Sequence, residues 1–104
     1  MREGIIAGGD NVFADIGRPH PEEALAKAQL AHRIAPIIKQ RGLTRAQAAR
    51  LLGTPQSKVS LVVTGQLDSF TIDRLLRYLI ALDEGVEIAV RPAQGPARLR
   101  VALG

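Results

Sequence analysis

The segment Gln56-Ser57-Lys58-Val59-Ser60-Leu61-Val62-Val63-Thr64 gathers an amide, three hydroxyls and an ammonium on a short apolar backing. These groups donate and accept hydrogen bonds and carry a positive charge, which is chemistry for recognition. Catalysis would need other groups. No paired carboxylates, nucleophile and base, or phosphate-cradling glycine loop can be assembled from this chain. His20 and His32 stand without neighbouring ligands, and Asp10, Asp15, Asp68 and Asp73 are spread over loops and helix starts, where capping accounts for them. The glycine-rich GIIAGG at the start follows no predicted strand and lacks the lysine of a nucleotide loop. Neither an enzyme nor a bound metal or cofactor is expected.

Placed on a helix at 100° per residue, Val59, Val62 and Val63 fall on one side and Ser57, Ser60, Leu61 and Thr64 on the other. Gln56 and Lys58 flank the second face. A carboxamide can pair with an adenine edge, serine hydroxyls can meet several bases, and an ammonium can meet guanine or phosphate. The amides opening such a helix can hold a backbone phosphate. Leu61 is the exception on this face: it fits a thymine methyl or, equally, a protein surface.

The elements that must position this face follow from pattern. GTP before it supplies a turn at Gly53, a cap at Thr54 and Pro55 at the first helical position. Thr44-Arg45-Ala46-Gln47 reads as a capping box opening a preceding helix with Ala48, Ala49, Leu51 and Leu52. Two helices so closely joined cross steeply, and the small Ala48 and Ala49 permit the approach. Further upstream, Leu25, Ala28, Ala31, Ile34, Ala35 and Ile38 recur at helical spacing from Pro21 to Gly42, with Pro36 inside the run. Either the helix kinks at Pro36 or a second one begins there; continuity of the spacing favours the kink. Downstream, Thr71 opens a helix stapled by Phe70 and Leu75, carrying Ile72, Leu76, Leu79, Ile80 and Leu82 to a stop near Gly85.

Beyond Gly85 the period drops to two. Val86, Ile88 and Val90 alternate with Glu87, Ala89 and Arg91, and Leu99, Val101 and Leu103 alternate with Arg98, Arg100 and Ala102. A hairpin through Pro92–Ala97 is one arrangement. A two-stranded ribbon is marginal alone in water, so a second copy of the chain is the simplest partner. The arginines Arg91, Arg98 and Arg100 form its polar side or reach phosphates. The expected organisation is therefore a flexible arm over 1–20, a helical domain over 21–85, and a strand or ribbon over 86–104 that can dimerise.

Composition sets the remaining bounds. The chain has 104 residues, a length for one core, and its three aromatics leave that core to aliphatic side chains. Without cysteine there is no disulfide or thiolate site, and a reducing cytoplasm is the expected compartment. No run approaches the roughly 20 apolar residues of a membrane span, nor does the start read as a signal peptide. Net charge is +4, but residues 24–67 hold seven basic side chains and no acid. Such a surface attracts nucleic acid, although an ordinary solvated basic face would read the same.

LTRAQAARLLGTPQSKVSLVVTG followed by FTIDRLLRYLIAL resembles the Xre family of lambda-repressor/Cro-like domains, whose second and third helices form a helix-turn-helix. NVFADIGRPHPEEALAKAQLAHRIA and VEIAVRP resemble, more narrowly, antitoxins of the host-inhibition-of-growth type; the likeness runs from about Asn11 to Pro92. The resemblance implies a mainly α, lambda-repressor-like bundle of four to five helices. It also implies a homodimer on an inverted-repeat operator of double-stranded DNA, commonly in its own promoter. For an antitoxin it implies a ribosome-dependent mRNA-cleaving toxin as partner. By position, Gln56, Ser57, Lys58, Ser60 and Leu61 fall on the base-reading surface, with Thr44, Thr54 and Thr64 beside it. Arg45 stands where relatives often place glutamine against a phosphate. The run Leu61-Val62-Val63 departs from the basic or polar residue common there, so a module that mainly binds a toxin is the alternative to DNA reading. A non-specific nucleoid-type binder is a third.

Overall fold

The structure, a computed structural model, describes residues 21–103. Expectations for the arm over 1–20, including His20 and a short element at Asn11–Ile16, lie outside the described residues. Four helices follow in order: α1 Pro21–Gln40, α2 Arg45–Leu52, α3 Gln56–Thr64 and α4 Ile72–Ala81. Helix α1 packs on α3 and α4, and α2 packs on the same two. Phe70, Ile34, Leu75, Leu82, Val59 and Val62 are the largest fully buried side chains and lie in one cluster. Burying an aliphatic or phenyl side chain of this size stabilises by about 1.5–3 kcal/mol, so these contacts set the angles between the helices.

Helix α1 is continuous through Pro36, as the apolar spacing predicts, with Glu22 and Glu23 in its first turn and Lys39 in its last. Its inner face matches the predicted one in part, at Ala31, Ile34 and Ile38. Ala26, Leu30, Ala31, Ile34 and Ile38 are buried, whereas Leu25 and Ala28 are exposed. Two stripes that share Ala31, Ile34 and Ile38 overlap in this helix, and the observed one adds Leu30 at an interval of four before Ile34 in place of Leu25 and Ala28.

All four helices end the same way. Gly42, Gly53, Gly65 and Asp83 adopt left-handed backbone (φ 65°, 66°, 80° and 66°). In each case the next amide donates to the carbonyl five residues back: Leu43 to Ile38, Thr54 to Ala49, Gln66 to Leu61 and Glu84 to Leu79, at 2.8–3.1 Å. The last helix therefore stops at Asp83, two residues before the expected Gly85, because aspartate tolerates this conformation better than most side chains.

The start signals are met at two sites. The Thr44 hydroxyl accepts from the Gln47 amide at 3.0 Å while the Gln47 side chain accepts from the Thr44 amide at 2.9 Å. Thr71 accepts from Arg74 at 3.1 Å, next to the buried pair Phe70 and Leu75.

No strand is present among the described residues, so the expected ribbon is not formed within the chain. Its second half is taken up by α1 instead. The Leu99 amide donates to Glu22 Oε1 at 3.4 Å, Val101 packs on the core, and Leu103 lines a hollow with Pro36 and Ile37. Val86, Ile88 and Val90 remain exposed.

Candidate nucleic-acid interface

The turn between α2 and α3 is three residues long, Gly53-Thr54-Pro55. Left-handed Gly53 reverses the chain, and the fully buried Ala48 with the nearly buried Ala49 brings α2 close against α3. Val59 and Val62 are the buried residues of α3, and its first two residues, Gln56 and Ser57, are exposed.

Thr54 is turned inward, against its expected place as a helix cap. It is 8% exposed, and its hydroxyl accepts from Tyr78 Oη at 3.1 Å. Pro55 occupies the cap position in extended conformation and has no side-chain capping bond. The amides of Lys58 and Val59 both donate to the Pro55 carbonyl, at 3.0 and 3.2 Å. That leaves the amides of Gln56 and Ser57 without a partner among the described residues at the positive end of a nine-residue helix, and both side chains are exposed. Such an end attracts an anion.

The remaining expected residues divide between surface and support. Thr44 and Arg45 are exposed at the start of α2, Thr44 in its capping box and Arg45 without a partner among the described residues. Ser60 is half-buried. Thr64 is exposed, but its hydroxyl donates to the Ser60 carbonyl at 2.8 Å. Leu61 is half-buried and packs against the core, which corrects the expectation of an outward leucine. Lys58 is also half-buried. Its ammonium donates to Ser69 Oγ at 3.2 Å and lies 5.2 Å from the centre of the Phe70 ring. Lys58 thus ties α3 to the loop before α4, and Ser69 enters the site as a residue that sequence reasoning missed. Ser69 and Phe70 lie eleven and twelve residues beyond Lys58, past the end of α3, so no local spacing signalled the contact.

A model of the family described as "Helix-turn-helix domain" matches residues 12–91. The chain belongs to that family. A solved structure described as "Putative XRE Family Transcriptional Regulator" superposes with a TM-score of 0.75 at 36% identity, over 83% of this chain and 100% of the other. No curated protein matches significantly. The family resemblance carried by residues 43–82 therefore stands at the level of an XRE-like helix-turn-helix.

In this helix-turn-helix protein the basic stretch of 24–67 is only partly available to a ligand. Lys27 pairs with Glu23 at 3.6 Å, Arg33 with Glu84 at 2.9 Å, and Arg41 donates to the Leu82 carbonyl at the end of α4. Lys39, Arg45 and Arg50 are exposed and have no acidic partner among the described residues. Among the described residues no group of His, Cys, Asp or Glu is placed to hold a metal ion, and no helix is long and apolar enough to cross a membrane.

Proposed function

We propose that this helix-turn-helix protein is a sequence-specific DNA-binding transcriptional repressor, acting as a homodimer on an inverted repeat. One α3 from each copy enters the major groove, with half-sites about one helical turn apart. The observation that carries this reading is the exposed, uncapped start of α3. Gln56 and Ser57 present base-reading groups there, the two free amides meet a phosphate, and Arg45 at the start of α2 meets another. Lys58, already bonded to Ser69, keeps hydrogens for a phosphate beside the loop. XRE-family membership supports the same conclusion.

The likeness of the first helix and its preceding arm to antitoxins extends the proposal to autoregulation within a toxin–antitoxin pair. Co-purification with the product of the adjacent gene tests that extension. A neighbour that encodes no small basic toxin contradicts it.

The primary test is a titration of the upstream promoter duplex at several salt concentrations. Affinity falls steeply with salt as counterions leave the phosphates. Arg45→Ala weakens binding on all duplexes and lowers the salt slope by about one. Gln56→Ala and Lys58→Ala together abolish preference for the promoter. Binding that is absent, or that the double variant leaves unchanged, refutes the proposal.

A further inference from the structure

After α4 and its Asp83 stop, the chain runs through Val86-Glu87-Ile88-Ala89-Val90-Arg91, and every one of these residues is exposed. Ile88 is 74% and Val90 92% exposed. The other alternating stretch, Leu99–Leu103, is held against α1, so it does not cover this one. Glu87 and Arg91 have no ion-pair partner within the described chain. An unpaired stretch of apolar alternation is a template for strand addition.

The order of side chains is complementary to itself. If two copies run antiparallel with Ala89 opposite Ala89 of the second chain, Ile88 lies opposite Val90 on one face. On the other face Glu87 lies opposite Arg91, twice by symmetry. Sliding by two residues sets Arg91 or Glu87 opposite alanine and loses both charge pairs. Sliding by one sets apolar side chains opposite polar ones. Pro92, with no amide hydrogen, ends the pairing on one side and Gly85 on the other.

We propose that residues 86–91 form an edge strand that pairs antiparallel with its copy in a second chain, centred on Ala89, and that this ribbon joins the dimer. The proposal deepens the homodimer reading above and rests on it. Helices α1 and α4 each leave one large apolar side chain in solvent, Leu25 and Ile80, for the second copy to cover.

Sedimentation without DNA tests the register directly. Wild type sediments as a dimer. Glu87→Arg sets arginine against Arg91 of the second chain, Arg91→Glu sets glutamate against Glu87, and each raises the dimer dissociation constant about tenfold or more. Glu87→Arg with Arg91→Glu in one chain restores it. An equimolar mixture of the two single variants also dimerises, because each copy supplies the charge the other lacks. Both positions are exposed, so thermal unfolding of the variant monomers shows the helical fold retained. A wild-type monomer, single variants that dimerise like wild type, or failure of the swap and the mixture to recover each overturn the proposal. A monomer that still prefers its promoter overturns the ribbon alone and leaves the DNA reading standing. A dimer with the charge-swap pattern that ignores the promoter supports the ribbon and refutes the DNA reading.

Discussion

Tyr78 and Thr54 share one hydrogen bond inside an otherwise apolar core, 24 residues apart in the chain. Replacing either partner leaves the other buried and unsatisfied, which costs about 1–3 kcal/mol, whereas replacing both removes the penalty along with the bond. Tyr78→Phe and Thr54→Val are each expected to destabilise by that order, and the double variant by clearly less than their sum in urea unfolding. A contact over this separation leaves no local trace. From neighbouring residues alone, Thr54 looks like a cap; only the approach of α4 turns it inward and frees the start of α3. The same holds for Lys58, whose tie to Ser69 and Phe70 depends on the loop folding back. Lys58→Ala is therefore expected to lower stability by about 0.5–1 kcal/mol as well as weaken DNA binding. Arg45→Ala, which removes an exposed side chain without a partner, is expected to change stability by less than about 0.5 kcal/mol while weakening binding comparably. Comparing melting with affinity for the two variants separates support from contact.

Helix boundaries were legible where the signals are local. The capping box at Thr44 and Gln47, the cap at Thr71, the staple of Phe70 and Leu75, and the stops at Gly42 and Gly53 involve residues only a few positions apart. The end of α4 was misplaced because Gly85 is the obvious residue for a left-handed stop, yet Asp83 adopts it. The two kinds of stop predict opposite effects of substitution. A side chain at Gly53 would meet nothing within 4 Å, so Gly53→Ala costs only the left-handed backbone, roughly 1–2 kcal/mol. Asp83→Gly relieves that cost and is expected to raise stability by up to about 1 kcal/mol. Thermal unfolding of the two variants checks both signs. The inner face of α1 was ambiguous for a different reason: alanines, Ile34 and Ile38 fit both candidate stripes, and the choice rests on Leu30, which joins the core, against Leu25, which stays in solvent.

At the scale of the whole molecule, counting charge overstates what a ligand meets. Seven basic residues lie between 24 and 67, but Lys27, Arg33 and Arg41 are engaged in holding α1 and the end of α4. The positive surface that remains is narrower and includes Arg45 at the start of α2. The fold class was readable because the helix-turn-helix and its flanking helix are specified within forty consecutive residues. The tail was not, since alternation predicts a strand without naming its partner, and one half of it lies on α1. The central claim is that the exposed start of α3 reads DNA sequence. Selection of binding sites from randomised duplexes by wild type and by Gln56→Ala tests it most directly. The wild type is expected to enrich an inverted repeat with half-sites about one helical turn apart, and Gln56→Ala to lose preference at one symmetric pair of positions, by about 1–3 kcal/mol per base pair. An identical profile from both proteins, or no enrichment by the wild type, would contradict the claim.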